Sequence, residues 1–307
     1  MHRPNHYLLK GYSIILLSAV LFGTYGVWSE LMGPTFQPFY QAWVRSVIIL
    51  LIMLPFMLKS KSFRKIDRKD WSYVGVFIAF CVCTQVPLYY AFNHAPIGNV
   101  QLIFYSMFVI TAYLFGRFYL EETITKVKFV AMLLALFGLA IVFGQSILVF
   151  APLGLALAAF NGVASGGETS STKKVSGKYS PALLVFWGWI FTFLTHLLLS
   201  LLLGEKQLMP AVNQAWLWLL VYAAVNAAAF WLSVTGYKYV DASIASLIGL
   251  SEVIFAIIFG AIIFGQGITW SVYVGGALIL LAVILPDLLD IIHHKHTKIP
   301  IEPIREK

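Results

Sequence analysis

Long, nearly uncharged apolar segments are the feature that most constrains this chain. Ten of them follow one another, each close to the ~20 residues that a helix needs to cross the ~30 Å hydrocarbon core of a bilayer. Their predicted bounds are Gly11–Met32, Pro38–Leu58, Trp71–Asn93, Gly98–Phe118, Val127–Gln145, Pro152–Thr172, Pro181–Leu203, Ala215–Tyr237, Ser243–Phe264 and Trp270–Leu289.

Composition and pattern indicate that these segments are helices in lipid. Charged residues make up 11% of the 307 residues, whereas soluble domains carry roughly 25%. The runs do not alternate between polar and apolar residues as barrel strands do. A helix satisfies its backbone groups internally, which lipid cannot do for it. The expected fold class is therefore all-α integral membrane, with ten transmembrane helices.

The distribution of basic residues predicts the orientation. Of the 21 lysines and arginines, all except Arg45 and Lys206 lie at the N-terminus, near the end of an even-numbered segment or in the tail. Short loops rich in lysine and arginine stay in the cytoplasm, so both termini are expected there, in a multi-pass protein of the cell inner membrane. Because orientation accounts for the net charge of +8, no nucleic-acid partner is expected.

Weak self-similarity indicates an internal repeat. Gly11 and Gly23 recur at the same spacing as Gly154 and Gly166. We expect a cytoplasmic N-terminus (1–10), a first five-helix repeat (11–146), a second (147–290) and a cytoplasmic tail (291–307). Because five is odd, the second repeat starts on the opposite face, so the repeats are inverted. Inverted repeats are a recurring transporter design, with the substrate site between the halves near mid-membrane.

Short motifs carry a resemblance to a known family. They are the Leu-Phe-Gly-Thr-Tyr of Leu21–Tyr25, the Ala-Trp-Val-Arg that ends at Arg45, the turns Leu120–Thr125 and Phe264–Thr269, and Ser251–Val253. In these motifs the sequence resembles the drug/metabolite transporter superfamily, in its EamA-type branch of ten-helix bacterial transporters. The resemblance implies export or exchange of metabolites, often amino acids.

Three charged residues inside the apolar segments are candidate site residues, because charge in a membrane is costly. Arg45 could bind a substrate carboxylate, or it could cap carbonyls and lock neighbouring helices. Glu252 could bind substrate and take up and release a proton during transport, or it could be a protonated acid that hydrogen-bonds between helices. Glu168, the second proton-coupling candidate, could line a vestibule or pair with a loop lysine.

Uncharged polar and aromatic residues of the same segments complete the predicted substrate site. Gln101 and Tyr105 are four residues apart and therefore share a helix face. Pro87 removes a backbone donor, which is tolerated in a membrane where the freed carbonyl meets protein or a cavity. The uncharged site residues predicted are Gln85, Tyr89, Gln101, Tyr105, Asn161, Asn226 and Trp231.

These features together favour a secondary transporter of a small amphipathic metabolite, with an amino acid as the specific candidate, that works by alternating access. An integral-membrane enzyme acting on lipid and a channel-like facilitator are the alternatives. No catalytic residue, metal site or cofactor is predicted. The expected partners are a small-molecule solute and membrane lipid, and the fifth and tenth helices could form a homodimer contact.

Overall fold

The computed structural model describes residues 5–59, 66–144 and 151–296, and places side chains in all of these except 5–7, 59, 89 and 287–296. Within these ranges the chain forms thirteen α-helices and two 3-10 turns (Gly33–Thr35, Arg68–Asp70), and no β-strand. The helices are α1 (Asn5–Gly23), α2 (Tyr25–Met32), α3 (Pro38–Lys59), α4 (Trp71–Cys83), α5 (Pro87–His94), α6 (Ile97–Phe118), α7 (Lys126–Phe143), α8 (Pro152–Ser176), α9 (Pro181–Leu202), α10 (Gln214–Tyr237), α11 (Ala242–Gly249), α12 (Ser251–Phe264) and α13 (Trp270–His296).

Seven helical segments in the described ranges are long and apolar enough to cross a membrane, which fits a multi-pass membrane protein. They are Leu8–Thr35, Pro38–Leu58, Ile97–Phe118, Lys126–Phe143, Pro181–Leu202, Gln214–Tyr237 and Ala242–Phe264. The other three predicted spans are helical as well: one is divided between α4 and α5, one lies in the more polar α8, and one lies in α13. The count of ten spans stays a prediction. Residues 1–4 and 297–307, in the predicted cytoplasmic ends, lie outside the described residues.

Three of the predicted spans are interrupted near their middle. The α1–α2 break is at Thr24, whose hydroxyl donates to the Leu21 carbonyl (2.6 Å). The α11–α12 break is at Leu250, where the Ser251 hydroxyl donates to the Ile248 carbonyl (2.6 Å). Such side-chain bonds compete with the helical ladder and bend it. The α4–α5 break ends at Pro87, which has no N–H to continue the helix.

Helix α8, the first helix of the second predicted repeat, packs closely against α6 of the first. A methyl group on Gly162 would clash with the Phe104 carbonyl, and one on Gly166 would lie 2.6 Å from the Phe108 carbonyl. Small residues spaced by four let helix backbones approach each other in a membrane. Since Gly162 meets Phe104 and Gly166 meets Phe108, α6 and α8 run in the same direction.

Helices α7 and α13 pack against each other in a similar way. A methyl group on Gly138 would lie 2.8 Å from the Gly275 carbonyl, and one on Gly275 would lie 2.5 Å from the Gly138 carbonyl. These glycines therefore serve a contact within the chain. The predicted homodimer stays a prediction.

Two apolar clusters form most of the core. One lies among α3, α4, α9 and α10 and includes Phe77, Leu184 and Phe230. The other lies among α6, α7, α11, α12 and α13 and includes Tyr105, Leu139 and Ile279. Both clusters border the same internal cavity.

Candidate functional site: a central cavity between interrupted helices

A cavity of about 430 Å³ lies at the centre of the described helices. Its size is within the range of ~300–1,000 Å³ that is usual for small-molecule sites. Residues from α1 to α6 and from α8 to α12 line it, whereas α7 and α13 contribute none of its lining residues. The wall therefore draws on both predicted repeats.

All three helix interruptions face this cavity. Gly23 lies beside the α1–α2 break, Thr84 and Gln85 form the α4–α5 break, and Gly249 lies beside the α11–α12 break. Thr24, Thr84 and Leu250 keep right-handed helical dihedral angles, so these interruptions are local distortions of the helices that border the cavity. Interrupted helices of this kind commonly form substrate sites in secondary transporters.

Arg45 forms one charged part of the wall. Its side chain is buried, with 2% exposed. One guanidinium nitrogen, Nη2, donates to Oε1 of Gln85 (2.7 Å), and the group lies over the Tyr222 ring, 4.5 Å from its centroid. The Gln85 amide also donates to the Thr84 hydroxyl (3.2 Å). The α4–α5 break thus fixes the position of a permanent positive charge at the cavity.

Glu168 of α8 lies opposite the same break. Its Oε1 accepts a hydrogen bond from the Cys81 thiol (3.4 Å). Two turns earlier on α8, the Asn161 amide donates to the Thr84 carbonyl (3.0 Å). Asn161 thus satisfies a carbonyl at the interruption and joins α8 to the α4–α5 segment.

Glu252 forms a second acidic part of the wall. Its Oε1 accepts from the Tyr105 hydroxyl (3.3 Å), which links α12 to α6. Glu252 lies in the first turn of α12. The cavity therefore presents one guanidinium, two carboxyl groups and several amides among aromatic rings.

The structure brings together eight of the ten residues predicted from sequence. The cavity is lined by Arg45, Gln85, Gln101, Tyr105, Asn161, Glu168, Asn226 and Glu252. Trp231 is not a lining residue; its ring packs against Phe56 with centroids 5.6 Å apart. It follows Phe230, which does line the cavity, so it points to a different side of α10. The side chain of Tyr89 lies outside the described part of the chain.

Several lining residues were missed by the sequence reasoning. On α10, polar and aromatic residues recur every three or four positions, as expected of one helix face. Besides the predicted Asn226, this face carries Tyr222, Phe230, Ser233 and Tyr237. That spacing could have revealed the face, whereas nothing in the sequence distinguishes Trp189 of α9, another lining residue.

Comparisons with known proteins agree with this architecture. The model of the EamA-like transporter family matches the chain twice, over residues 9–144 and 152–286. An uncharacterized transporter from Archaeoglobus fulgidus is 27% identical over 283 residues, which cover 90% of this chain and 95% of the relative. A solved crystal structure is 17% identical and superposes with a TM-score of 0.76 over 94% of this chain and 99% of the other, a likeness in fold.

Proposed function

Because this chain belongs to the EamA-like transporter family, we propose that it is a secondary transporter that carries a small amphipathic metabolite by alternating access. The family and the transporter relative point to a membrane transporter rather than an enzyme. The observation that carries the finer proposal is the cavity itself, in which Arg45, Glu168 and Glu252 face one space beside three interrupted helices.

We further propose ten membrane spans in two inverted repeats of five. Two family matches of similar length, 9–144 and 152–286, support a duplicated unit. Each match contains five of the predicted spans, and an odd number reverses the second unit. In this arrangement the halves can exchange conformations, so states open to opposite sides have similar energies. The basic loops support an inner-membrane protein with both termini in the cytoplasm.

An amino acid is the specific substrate that this wall fits. Its carboxylate would pair with the Arg45 guanidinium, since charge-assisted bonds to arginine are strong and directional. Its ammonium group would approach Glu252, and its side chain would lie among Phe104, Phe108 and Trp189, which line the same cavity. Pairing of both charged ends offsets the cost of removing them from water.

A carboxyl group in the wall supplies a route for coupling to a proton gradient. Glu252 is the first candidate and Glu168 the second, because each faces the cavity and accepts a hydrogen bond from a neutral donor, Tyr105 and Cys81 respectively. Protonation in one state and release in the other would link proton flow to the movement of the solute. If neither titrates in the cycle, the solute's own gradient drives transport.

Counterflow in proteoliposomes tests this function. Purified protein would be assayed with a panel of amino acids, and saturable counterflow of at least one of them is expected. Gln101→Ala and Glu252→Gln should each reduce it, whereas Trp231→Phe, which lies off the cavity, should not. Unchanged counterflow in both cavity variants would remove the site assignment. Ohmic currents in planar bilayers in place of saturable flux would indicate a channel.

A further inference from the structure

The two carboxyl groups in the cavity wall have neutral partners at long distances. Glu252 accepts from the Tyr105 hydroxyl at 3.3 Å, and Glu168 accepts from the Cys81 thiol at 3.4 Å. The Thr84 hydroxyl, which donates to the Cys81 carbonyl (2.9 Å), also interacts with Glu168. A strong bond from a hydroxyl to a carboxylate is about 2.5–2.7 Å long, and a thiol is a weak donor. Each carboxyl can therefore still accept a stronger bond from a cationic group.

Neither carboxyl forms an ion pair within the described part of the chain. The ion pairs there join Lys128, Lys173 and Lys178 to acidic residues other than Glu168 and Glu252. Ionised groups that are removed from bulk water are normally paired, because an unpaired buried charge is costly. A bound solute with positive charge would supply such a partner.

The positive group of the wall lies close to one of these carboxyls. Among the described residues that line the cavity, Arg45 is the only lysine or arginine. Arg45 bonds to Gln85 and Glu168 bonds to Cys81. These two partners are four residues apart in the α4–α5 segment, which is about one helical turn, or ~6 Å. A solute in contact with Arg45 can therefore reach Glu168 as well.

Tyr237 of α10 relates the two carboxyl groups to each other. It lines the cavity, and the charges of both Glu168 and Glu252 act on its hydroxyl group. One solute beside Tyr237 can therefore contact both carboxyls. The aromatic rings of Phe104 and Phe108 line the same space, where they can pack against an alkyl chain and attract a cation.

The charged groups of the wall indicate which class of amino acid fits. The wall carries one guanidinium and two carboxyl groups. An amino acid with a neutral side chain brings one carboxylate and one ammonium group, so it leaves one carboxyl of the wall without a cationic partner. A dibasic amino acid brings one carboxylate and two cationic groups, which match all three.

We propose that the solute is a dibasic amino acid, such as lysine or ornithine, whose carboxylate binds at Arg45 and whose two ammonium groups bind at Glu168 and Glu252. This inference rests on the proposed transport of an amino acid and adds the charge class of its side chain. Pairing of every ionised group offsets the cost of removing it from water. A proton on either carboxyl would take the place of an ammonium group there, so protons and solute exclude each other at these residues.

Counterflow of lysine compared with that of norleucine tests the charge class. Norleucine has the carbon chain of lysine and lacks only its second ammonium group. Proteoliposomes loaded with one of the two would take up the same amino acid in labelled form. Wild type should show a kcat/KM for lysine roughly tenfold or more above that for norleucine, since one hydrogen bond to a charged group supplies such a factor. Norleucine counterflow equal to that of lysine would overturn the dibasic class, while transport of an amino acid would stand. Failure of every amino acid to exchange would overturn both.

A variant of Glu168 tests the assignment of the second ammonium group. Glu168→Gln keeps the shape of the side chain and removes its charge, so the preference for lysine over norleucine should fall roughly tenfold. Glu121→Gln is the matched control, because the same change at an exposed residue outside the cavity should leave the preference as in wild type. A preference retained in Glu168→Gln would overturn the proposal.

Thermal unfolding of wild type gives a second measurement if Glu168→Gln does not fold. A ligand that binds only the folded state raises its Tm. Lysine should therefore raise the Tm of purified wild type in detergent more than norleucine does at the same concentration. Equal shifts from the two amino acids would contradict the dibasic class.

Discussion

Arg45 and Gln85, forty residues apart in the chain, meet through a 2.7 Å hydrogen bond at the wall of the central cavity. The bond places a fixed positive charge beside the α4–α5 interruption. Gln85 can hold Arg45 because Pro87 ends the preceding helix and leaves Thr84 and Gln85 outside it.

Removing this partner should weaken solute binding. Gln85→Leu leaves the Arg45 guanidinium less firmly positioned, and a hydrogen bond to a charged group is worth ~1.5–3 kcal/mol. We expect the KM for counterflow to rise roughly tenfold, with a lower Tm in detergent. Gln85→Glu, which keeps an acceptor, should retain most of the Tm. A KM unchanged in Gln85→Leu would argue against solute binding at Arg45.

The Glu252–Tyr105 contact gives a test of proton coupling. Glu252→Gln removes the group that titrates, so accumulation driven by a pH gradient should be lost. Tyr105→Phe removes only the 3.3 Å hydrogen bond and should reduce that accumulation a few-fold at most. Gradient-driven uptake compared with counterflow separates the two steps. Full accumulation by Glu252→Gln would exclude Glu252 as the coupling residue and leave Glu168 as the candidate.

The close approach of α8 to α6 predicts a large difference between two glycine substitutions. Gly162→Ala would press a methyl group into the Phe104 carbonyl, and overpacking of this kind costs ~1–3 kcal/mol. Gly75 in α4 has open space around it, so Gly75→Ala should be neutral or slightly stabilising because alanine favours helix. Thermal unfolding of both variants in one detergent measures this. Equal Tm values would mean that α8 can shift away from α6 without cost.

Acid should weaken the ion cluster that Asp241 forms with Lys128 and Lys173. Burial raises the pKa of Asp241, but Lys128 (2.7 Å) and Lys173 (3.6 Å) outweigh it, so that pKa lies below its ordinary value of 3.8. A depressed pKa stabilises the fold above the ordinary value, and this stabilisation is lost as pH falls through the lowered pKa. The Tm advantage of wild type over Asp241→Asn should therefore be present at pH 7 and shrink as the pH falls below the ordinary value of 3.8. An advantage that persists in acid would contradict this.

Much of the arrangement could be predicted because membrane proteins bury their polar groups. Arg45, Glu168 and Glu252 stand out in apolar segments, and an intramembrane charge turns toward the bundle interior. Trp231 was predicted with the site residues but does not line this cavity, because it follows the lining residue Phe230 and faces another side of α10. Aromatic residues give no such signal, since lipid, protein and cavity all accept them.

The helix interruptions and the burial of Glu122 and Glu205 were harder to predict for a different reason. Pro87 predicts the break that it causes. The breaks at Thr24 and Leu250 instead accompany hydroxyl-to-carbonyl bonds from Thr24 and Ser251, which a hydropathy pattern does not show. Glu122 and Glu205 lie in turns, where a glutamate normally meets water. Their burial depends on helices far away in sequence.

The glycine contact between α7 and α13 has a consequence for how such proteins diversify. These two helices bind each other through Gly138 and Gly275, and none of their described side chains lines the central cavity. Substitutions that change substrate selectivity can therefore accumulate on the other helices while the contact between α7 and α13 stays the same. A chain built in this way can change its substrate without a change in the packing of α7 against α13.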